Sequence, residues 1–195
     1  MVIKLDLANA FDRVRHDFLF AVMEKFGFSR AFISWIKGCI GDPWIAPIVN
    51  GRPTSFFKAS RGLRQGCPLS PLLYAIQASM LSFQLNLSQE IHLLPGLRIV
   101  NNVREINHAQ FADDTLLLGG ASIHSAEQFK QELDLYKEVS GSKINFHKSK
   151  IYSWKCSARE LMEISRTLGM ESTVDWDNFI YLGIPICKTK IKSAN

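Results

Sequence analysis

Phe111-Ala112-Asp113-Asp114-Thr115-Leu116-Leu117-Leu118 decides how this chain is read. Apolar residues on both sides of the acids have strand character, which predicts a bend between two strands, Gln110–Ala112 and Thr115–Leu118. Adjacent carboxylates repel, and burying them costs several kcal/mol unless a charge compensates. No Lys or Arg stands beside the pair, so a divalent cation is the expected compensation. The alternative is a surface turn that happens to carry two acids.

Outward from that bend, hairpin and helix signals are mixed. Residues 2–7 alternate as a strand ending near Asp6. His16–Phe26 predicts an amphipathic helix stopped by Gly27, and Arg30–Ile40 a second helix before Gly41-Asp42-Pro43. Ile45–Val49 and Thr54–Ala59 flank Asn50-Gly51, a hairpin signal whose loop Arg52 and Pro53 are expected to lengthen. Arg61–Ser70 reads as a loop and Pro71 to about Leu87 as a helix. Leu97–Val100 and Val103–Ile106 predict a hairpin about Asn101-Asn102.

Further on, Ser125 with Gln128 predicts a capping box, followed by an apolar face of Phe129, Leu133, Tyr136 and Val139 and a stop at Gly141. Lys143–Trp154 reads as extended, Ser157 with Glu160 as a second capping box for a helix ending at Gly169, and Phe179–Cys187 as a last strand. Regular strand–helix alternation is missing. The expected fold is therefore α+β, an antiparallel sheet packed against helices.

Composition narrows the function. With 195 residues and 47% hydrophobic content the chain suits a globular core rather than disorder. No apolar run approaches the roughly 18 residues of a membrane helix, so no membrane partner is expected. Met1–Leu7 carries an acid at Asp6 and does not read as a signal peptide. Cys39, Cys67, Cys156 and Cys187 match no zinc spacing, which favours free thiols and an intracellular location, nucleus or cytoplasm. The net charge of +5 is uneven: residues 141–195 hold 9 Lys/Arg against 5 Asp/Glu, while residues 1–140 hold 14 against 13. A basic C-terminal third suits a phosphate backbone, with ordinary solvated surface as the alternative.

Asp113 and Asp114 need a third ligand to hold two metals, and Asp6, at the end of an apolar strand, is the candidate. Two Mg²⁺ ions about 3.5–4 Å apart would serve an in-line phosphoryl displacement, and hard carboxylate oxygens suit Mg²⁺.

Five stretches then resemble the reverse transcriptases of non-LTR retrotransposons, most nearly the plant LINE-type elements. Lys4-Leu5-Asp6-Leu7-Ala8-Asn9-Ala10-Phe11-Asp12-Arg13-Val14 is similar to their first catalytic motif, and Gly62-Leu63-Arg64-Gln65-Gly66-Cys67-Pro68-Leu69-Ser70-Pro71 to their second palm motif. Phe111-Ala112-Asp113-Asp114 resembles the metal-binding motif. Ser140-Gly141-Ser142-Lys143-Ile144-Asn145 with Lys148-Ser149 resembles the fourth, and Tyr181-Leu182-Gly183-Ile184-Pro185 the primer-grip region. They come in family order.

The resemblance implies an RNA-directed DNA polymerase acting by two-metal nucleotidyl transfer on an RNA template, a DNA primer and dNTP. Its cofactor would be Mg²⁺, with Mn²⁺ possible in its place. Asp6, Leu7, Asp113 and Asp114 would form the metal set, the three aspartates being catalytic. Phe11, Gln65 and Gly66 would meet the nucleotide, Phe11 as an aromatic steric gate or else plain core. Arg61 and Arg64 would meet phosphate or be exposed loop arginines. Lys148, or Lys143, would donate a proton to pyrophosphate. Tyr181, Leu182 and Gly183 would grip the primer, with a buried strand as the alternative. Asp12 is expected to pair with Arg13, Arg15 or a backbone amide, and the five histidines are assigned no role.

The resemblance further implies one palm domain over residues 1–195, with fingers and thumb lacking and little autonomous polymerisation expected. The remainder of a retroelement polyprotein would be its partner. A non-catalytic nucleic-acid-binding remnant or co-opted retroelement-derived protein, and a group II intron maturase, stay open as alternatives.

Overall fold

The computed structural model describes residues 1–41, 43–98, 103–154 and 156–186. In chain order the elements are β1 (Val2–Leu5), α1 (His16–Lys25), α2 (Arg30–Ile40), β2 (Trp44–Ile45), β3 (Ile48–Val49), β4 (Arg52–Pro53), β5 (Phe57–Lys58) and α3 (Ser70–Glu90). Then come β6 (His108–Phe111), β7 (Asp114–Leu118), α4 (Ile123–Ser140), β8 (Lys150–Tyr152), α5 (Ala158–Leu168), β9 (Glu171–Thr173), β10 (Ile180–Tyr181) and β11 (Ile184–Pro185). The chain is a mixed fold of helices and antiparallel-rich sheet. It divides into two compact units: Met1–Asp6, Gln84–Leu133 and Ile144 onward form the first, and Leu7–Phe83 with Asp134–Lys143 the second.

The first unit is built on a five-stranded sheet of order β6-β7-β1-β8-β9. β1 is central, antiparallel to β7 (Val2 opposite Leu118, Leu5 opposite Thr115) and to β8. Strand alternation sends Ile3, Leu5, Leu117 and Ile151 to one face, where all are fully buried. Helical residues meet this unit at two close points. Asn107 Nδ2 donates to the Leu85 carbonyl of α3 at 2.6 Å. A Cβ on Gly119 would stand 2.8 Å from the Phe129 ring of α4. The opposite face carries Val2, Leu116 and Tyr152, packed with Trp176 and Phe179. There the Tyr152 ring lies 4.4 Å from that of Phe179, and Trp176 Nε1 donates to the Ser153 carbonyl.

The second unit has its own core of Val14, Leu19, Met23, Ile33, Ile36, Leu63, Leu73, Tyr74 and Ala78. α1, α2 and the first half of α3 supply seven of these nine residues, and the predicted helix over Arg30–Ile40 is α2 itself.

Several expectations need correction. Arg52 and Pro53 do not lengthen the first hairpin: they are β4, paired with Val49 and Ile48. Asn50 (φ 51°) and Gly51 (φ 76°) alone make the turn, as a two-residue hairpin with both central φ positive requires. Pro53 is tolerated because this short strand has no second neighbour in its sheet. α4 is capped by Ser122, whose Oγ accepts from Ser125 N at 3.1 Å, so Ser125 lies inside the helix. The buried stripe of α4 ends in Ser140, not Val139, which is exposed. Ser140 hides its hydroxyl by donating to the Tyr136 carbonyl.

Lys143–Trp154 is extended only at β8, because residues 145–148 form a turn. Phe179–Cys187 is not one strand but the hairpin β10–β11 about Leu182-Gly183; Cys187 lies outside the described residues. β9 escaped the sequence reading, and its pairing with β8 is parallel, so the sheet is not purely antiparallel. Of the hairpin expected about Asn101-Asn102, the Leu97–Ile106 bridge forms, while the turn lies outside the described residues. The Ser157–Glu160 capping box is present in full, and Gly169 ends α5 with φ 68°.

Candidate functional site

The acidic end of the sheet. Asp6 follows directly on β1, and the β6–β7 turn is Ala112-Asp113 rather than the two acids, since Asp114 opens β7 opposite Phe111. The β1–β7 register ends at Leu5 opposite Thr115, and its next step sets Asp6 across from Asp114. The three acids thus lie at the same end of adjacent strands, a placement that 107 residues of sequence between Asp6 and Asp113 conceal. Asp6 is fixed through its backbone: its N–H donates to Ser149 Oγ at 3.0 Å, and its carbonyl accepts from Asn145 N at 2.8 Å. Asn145 and Ser149 therefore have a structural task that no sequence rule exposed.

One premise is overturned. Asp113, Asp114 and Phe111 are exposed, Phe111 at 64%. Water screens the carboxylates, so their repulsion does not by itself demand a cation. The donors nevertheless suit one. They are hard oxygens, and among the described residues none of the three is in an ion pair. Among those residues no three acidic, His or Cys side chains draw close enough to cage a metal. Mg²⁺ does not require a cage, since it is held by one or two carboxylates with water and substrate phosphates.

The β10–β11 hairpin lies against this end. Lys4 Nζ donates to the Ile180 carbonyl at 2.9 Å, from the same strand face as Asp6 two residues on. Tyr181 packs on the Val2–Leu116 cluster, with its hydroxyl 3.4 Å from the Asp114 carbonyl and 3.5 Å from that of Ala109. Burial, and then the charge of Asp114, holds the Tyr181 hydroxyl above its ordinary pKa. Tyr181 is thus half-buried rather than a core residue, and Leu182 and Gly183 form the turn. Lys148 is exposed in the 145–148 turn, next to Ser149.

The nucleotide candidates belong to the second unit. Phe11 stacks on Tyr74 with ring centroids 4.7 Å apart and lines a cavity of about 500 Å³ with Gln65, Gly66, Cys67 and Pro68. Core packing and pocket lining are therefore both true of Phe11. Gly66 has φ 81° and open space where a Cβ would stand, so backbone conformation, not crowding, calls for glycine. Arg61 and Arg64 are exposed and border a second cavity of about 590 Å³ with Trp44 and Gln65. Leu7 is buried, and Lys143 is exposed while its carbonyl accepts from Ala8 N at 2.8 Å.

Asp12 pairs with neither Arg13 nor Arg15. Arg15 is taken by Asp17, and Asp12 accepts from Gln65 Nε2 at 3.1 Å. His16 also has a place: it is buried, with Nε2 2.7 Å from the Gly62 carbonyl. The apolar spacing of α1 could have indicated its burial, but nothing local could have indicated its partner. The three described cysteines are free.

Residues 1–186 match the reverse transcriptase (RNA-dependent DNA polymerase) family across the whole described fold, and the chain belongs to that family. Its similar relatives are polyproteins of non-LTR retrotransposons and a plant mitochondrial protein. An uncharacterized mitochondrial protein of Arabidopsis thaliana is 50% identical over 68 residues, 35% of this chain and 56% of that protein. The Pol polyprotein from the type-1 retrotransposable element R2 of Popillia japonica is 35% identical over 117 residues, 60% of this chain and 18% of the polyprotein. The 149 kDa protein of transposon TX1 from Xenopus laevis is 28% identical over 149 residues, 75% of this chain and 11% of that protein. The chain thus spans about half of the plant relative and less than a fifth of these two transposon proteins. The family uses divalent metal ions, and among the described residues no helix is long and apolar enough to cross a membrane.

Proposed function

We propose that this chain carries the palm of a non-LTR retrotransposon reverse transcriptase and transfers nucleotides from dNTP to a DNA primer on an RNA template. The observation that carries this reading is the β1–β7 register, whose next step would set Asp6 across from Asp114, in a member of the reverse transcriptase family. Asp6, its neighbour Leu7, Asp113 and Asp114 would hold two Mg²⁺ ions, or Mn²⁺. Bound metal supplies activation of the primer 3′ hydroxyl and charge stabilisation of the leaving oxygen. In the transfer, the 3′ oxygen bonds to the α-phosphorus, the α–β anhydride breaks and pyrophosphate leaves.

The chain's own groups position and exclude. The exposed acids face solvent, where water-coordinated ions can arrive. Phe11, stacked on Tyr74, is a rigid ring at the cavity that Gln65 and Gly66 share, suited to reject a ribose 2′ hydroxyl. Lys148 would give the leaving pyrophosphate a proton. The β10–β11 hairpin would seat the primer end through Tyr181, Leu182 and Gly183. Partners would include the rest of a retroelement polyprotein, inside the cell.

The test is primer extension on an RNA template with Mg²⁺, by the chain alone and by a longer polypeptide restoring upstream sequence. Extension that Asp113→Ala abolishes supports the reading. Extension unchanged by Asp113→Ala, or absent from both polypeptides, overturns it.

A further inference from the structure

Two segments of the second unit, Phe11–His16 and Gly62–Gln65, are fastened to each other. Gly62 N donates to the Val14 carbonyl at 2.8 Å and Leu63 N to the Phe11 carbonyl at 2.9 Å. His16 Nε2 lies 2.7 Å from the Gly62 carbonyl; a carbonyl can only accept, so this nitrogen carries the proton. Gly62 has φ 94°, and a Cβ there would stand 2.9 Å from the Asp12 carbonyl oxygen, so the approach needs glycine twice over.

The last fastening joins side chains. Asp12 Oδ1 and Gln65 Nε2 are 3.1 Å apart. An ionised carboxylate only accepts, so the amide must turn its nitrogen toward Asp12. Its oxygen and its second N–H are what remain for a ligand. Gln65 borders both cavities described above, and Asp12 only the one it shares with Trp44 and the arginines.

We propose that Asp12 is a positioning residue that fixes the polarity of Gln65, so that an incoming nucleotide meets the amide oxygen as an acceptor. Gln65 is otherwise a freely rotating exposed amide that could offer either end. The anchored backbone sets where Gln65 stands, and Asp12 sets which way it faces. This rests on the reading that Gln65 meets the nucleotide. The pair is exposed, so Asp12 contributes little to folding, and its loss is separable from unfolding.

The experiment has two arms. In the ligand-free protein, the Gln65 side-chain amide is followed by ¹⁵N–¹H spectroscopy. A shifted, slowly exchanging pair is expected, moved to random-coil position by Asp12→Ala and retained by Asp12→Asn, which keeps an acceptor. A Gln65 amide already at random-coil position in the wild type overturns the proposal. In the second arm, dCTP affinity is measured for the wild type, Asp12→Ala, Gln65→Ala and the double variant. About a fivefold loss is expected for each single variant, with no further loss in the double, because Asp12 acts through Gln65. Losses that multiply overturn the proposal. A wild type that binds no dCTP while its Gln65 amide stays tethered instead overturns the nucleotide pocket, and the first arm separates the two failures.

Discussion

The turn at Asn50-Gly51 and the turns at Ala112-Asp113 and Leu182-Gly183 all join two strands with two residues, yet different residues take the strained conformation. Asn50 and Gly51 have φ 51° and 76°, and both residue types accept left-handed backbone readily. Ala112 has φ 52° and Leu182 φ 50°, where a Cβ costs about 1–2 kcal/mol. The first hairpin is a pair of exposed two-residue strands with only a reversal to make. The other two flank the acidic end of the sheet, where β6–β7 pairing and the Lys4 and Tyr181 contacts hold the backbone against local preference. Strain concentrated there agrees with the functional reading.

That contrast can be broken by substitution. Asp114→Asn is expected to have the largest effect, a loss of primer extension of about 10³-fold or more, with the melting temperature nearly unchanged because the side chain is exposed. A large fall in melting temperature would make the acid structural instead. Next, Gly51→Ala should cost about 1 kcal/mol by placing a Cβ at φ 76°, read by denaturant unfolding, and leave extension intact.

Leu182→Gly should have the opposite sign. Relief of strain outweighs the added chain entropy by about 0.5 kcal/mol, so the protein gains stability. Extension should fall several-fold as the hairpin tip loosens. A Leu182→Gly protein that loses stability would remove strain from the comparison.

The smallest effect concerns pH. The folded Tyr181 hydroxyl titrates above its unfolded value, so its stabilising contribution is complete below about pH 10 and disappears as pH rises through the folded pKa. Tyr181→Phe should flatten that alkaline decline in melting temperature, and Asp114→Asn should shorten it, because loss of the acid's charge brings the folded Tyr181 pKa closer to the unfolded one. Identical alkaline profiles for wild type and Tyr181→Phe would remove Tyr181 from the account.

What the sequence disclosed follows the range of the forces involved. The α2 boundaries, the Ser157–Glu160 box and the position of the Asn50-Gly51 turn, though not its two-residue length, are set by neighbours within a few residues and were readable. The three aspartates were readable as a motif, while their convergence depends on β1–β7 pairing. The Ser-x-x-Gln template pointed to Ser125, but Ser122 caps α4 by accepting from Ser125 N, and Ser125 is buried inside the helix. β9 was missed because three residues with one parallel neighbour leave no periodic signature. The bonds Asp12–Gln65, His16–Gly62 and Asp6–Ser149 span 53, 46 and 143 residues and could come only from the fold. The exposure of Asp113 and Asp114 was misjudged for a related reason: flanking leucines report on the buried middle of β7, not on its first residue or the turn before it.

The central place of β1 governs how this molecule comes into being. Val2–Leu5 is synthesised long before the strands on its two sides, Asp114–Leu118 and Lys150–Tyr152. At about 5–20 residues per second, the innermost strand waits on the order of ten seconds or more for its second neighbour. Until Leu118 has been made, Ile3 and Leu5, fully buried in the finished protein, have no sheet to enter. A ribosome stalled between residues 118 and 150 would hold a sheet with one bare apolar edge, a template for aggregation. Chaperone dependence during synthesis should therefore peak in that window and fall once Tyr152 has emerged.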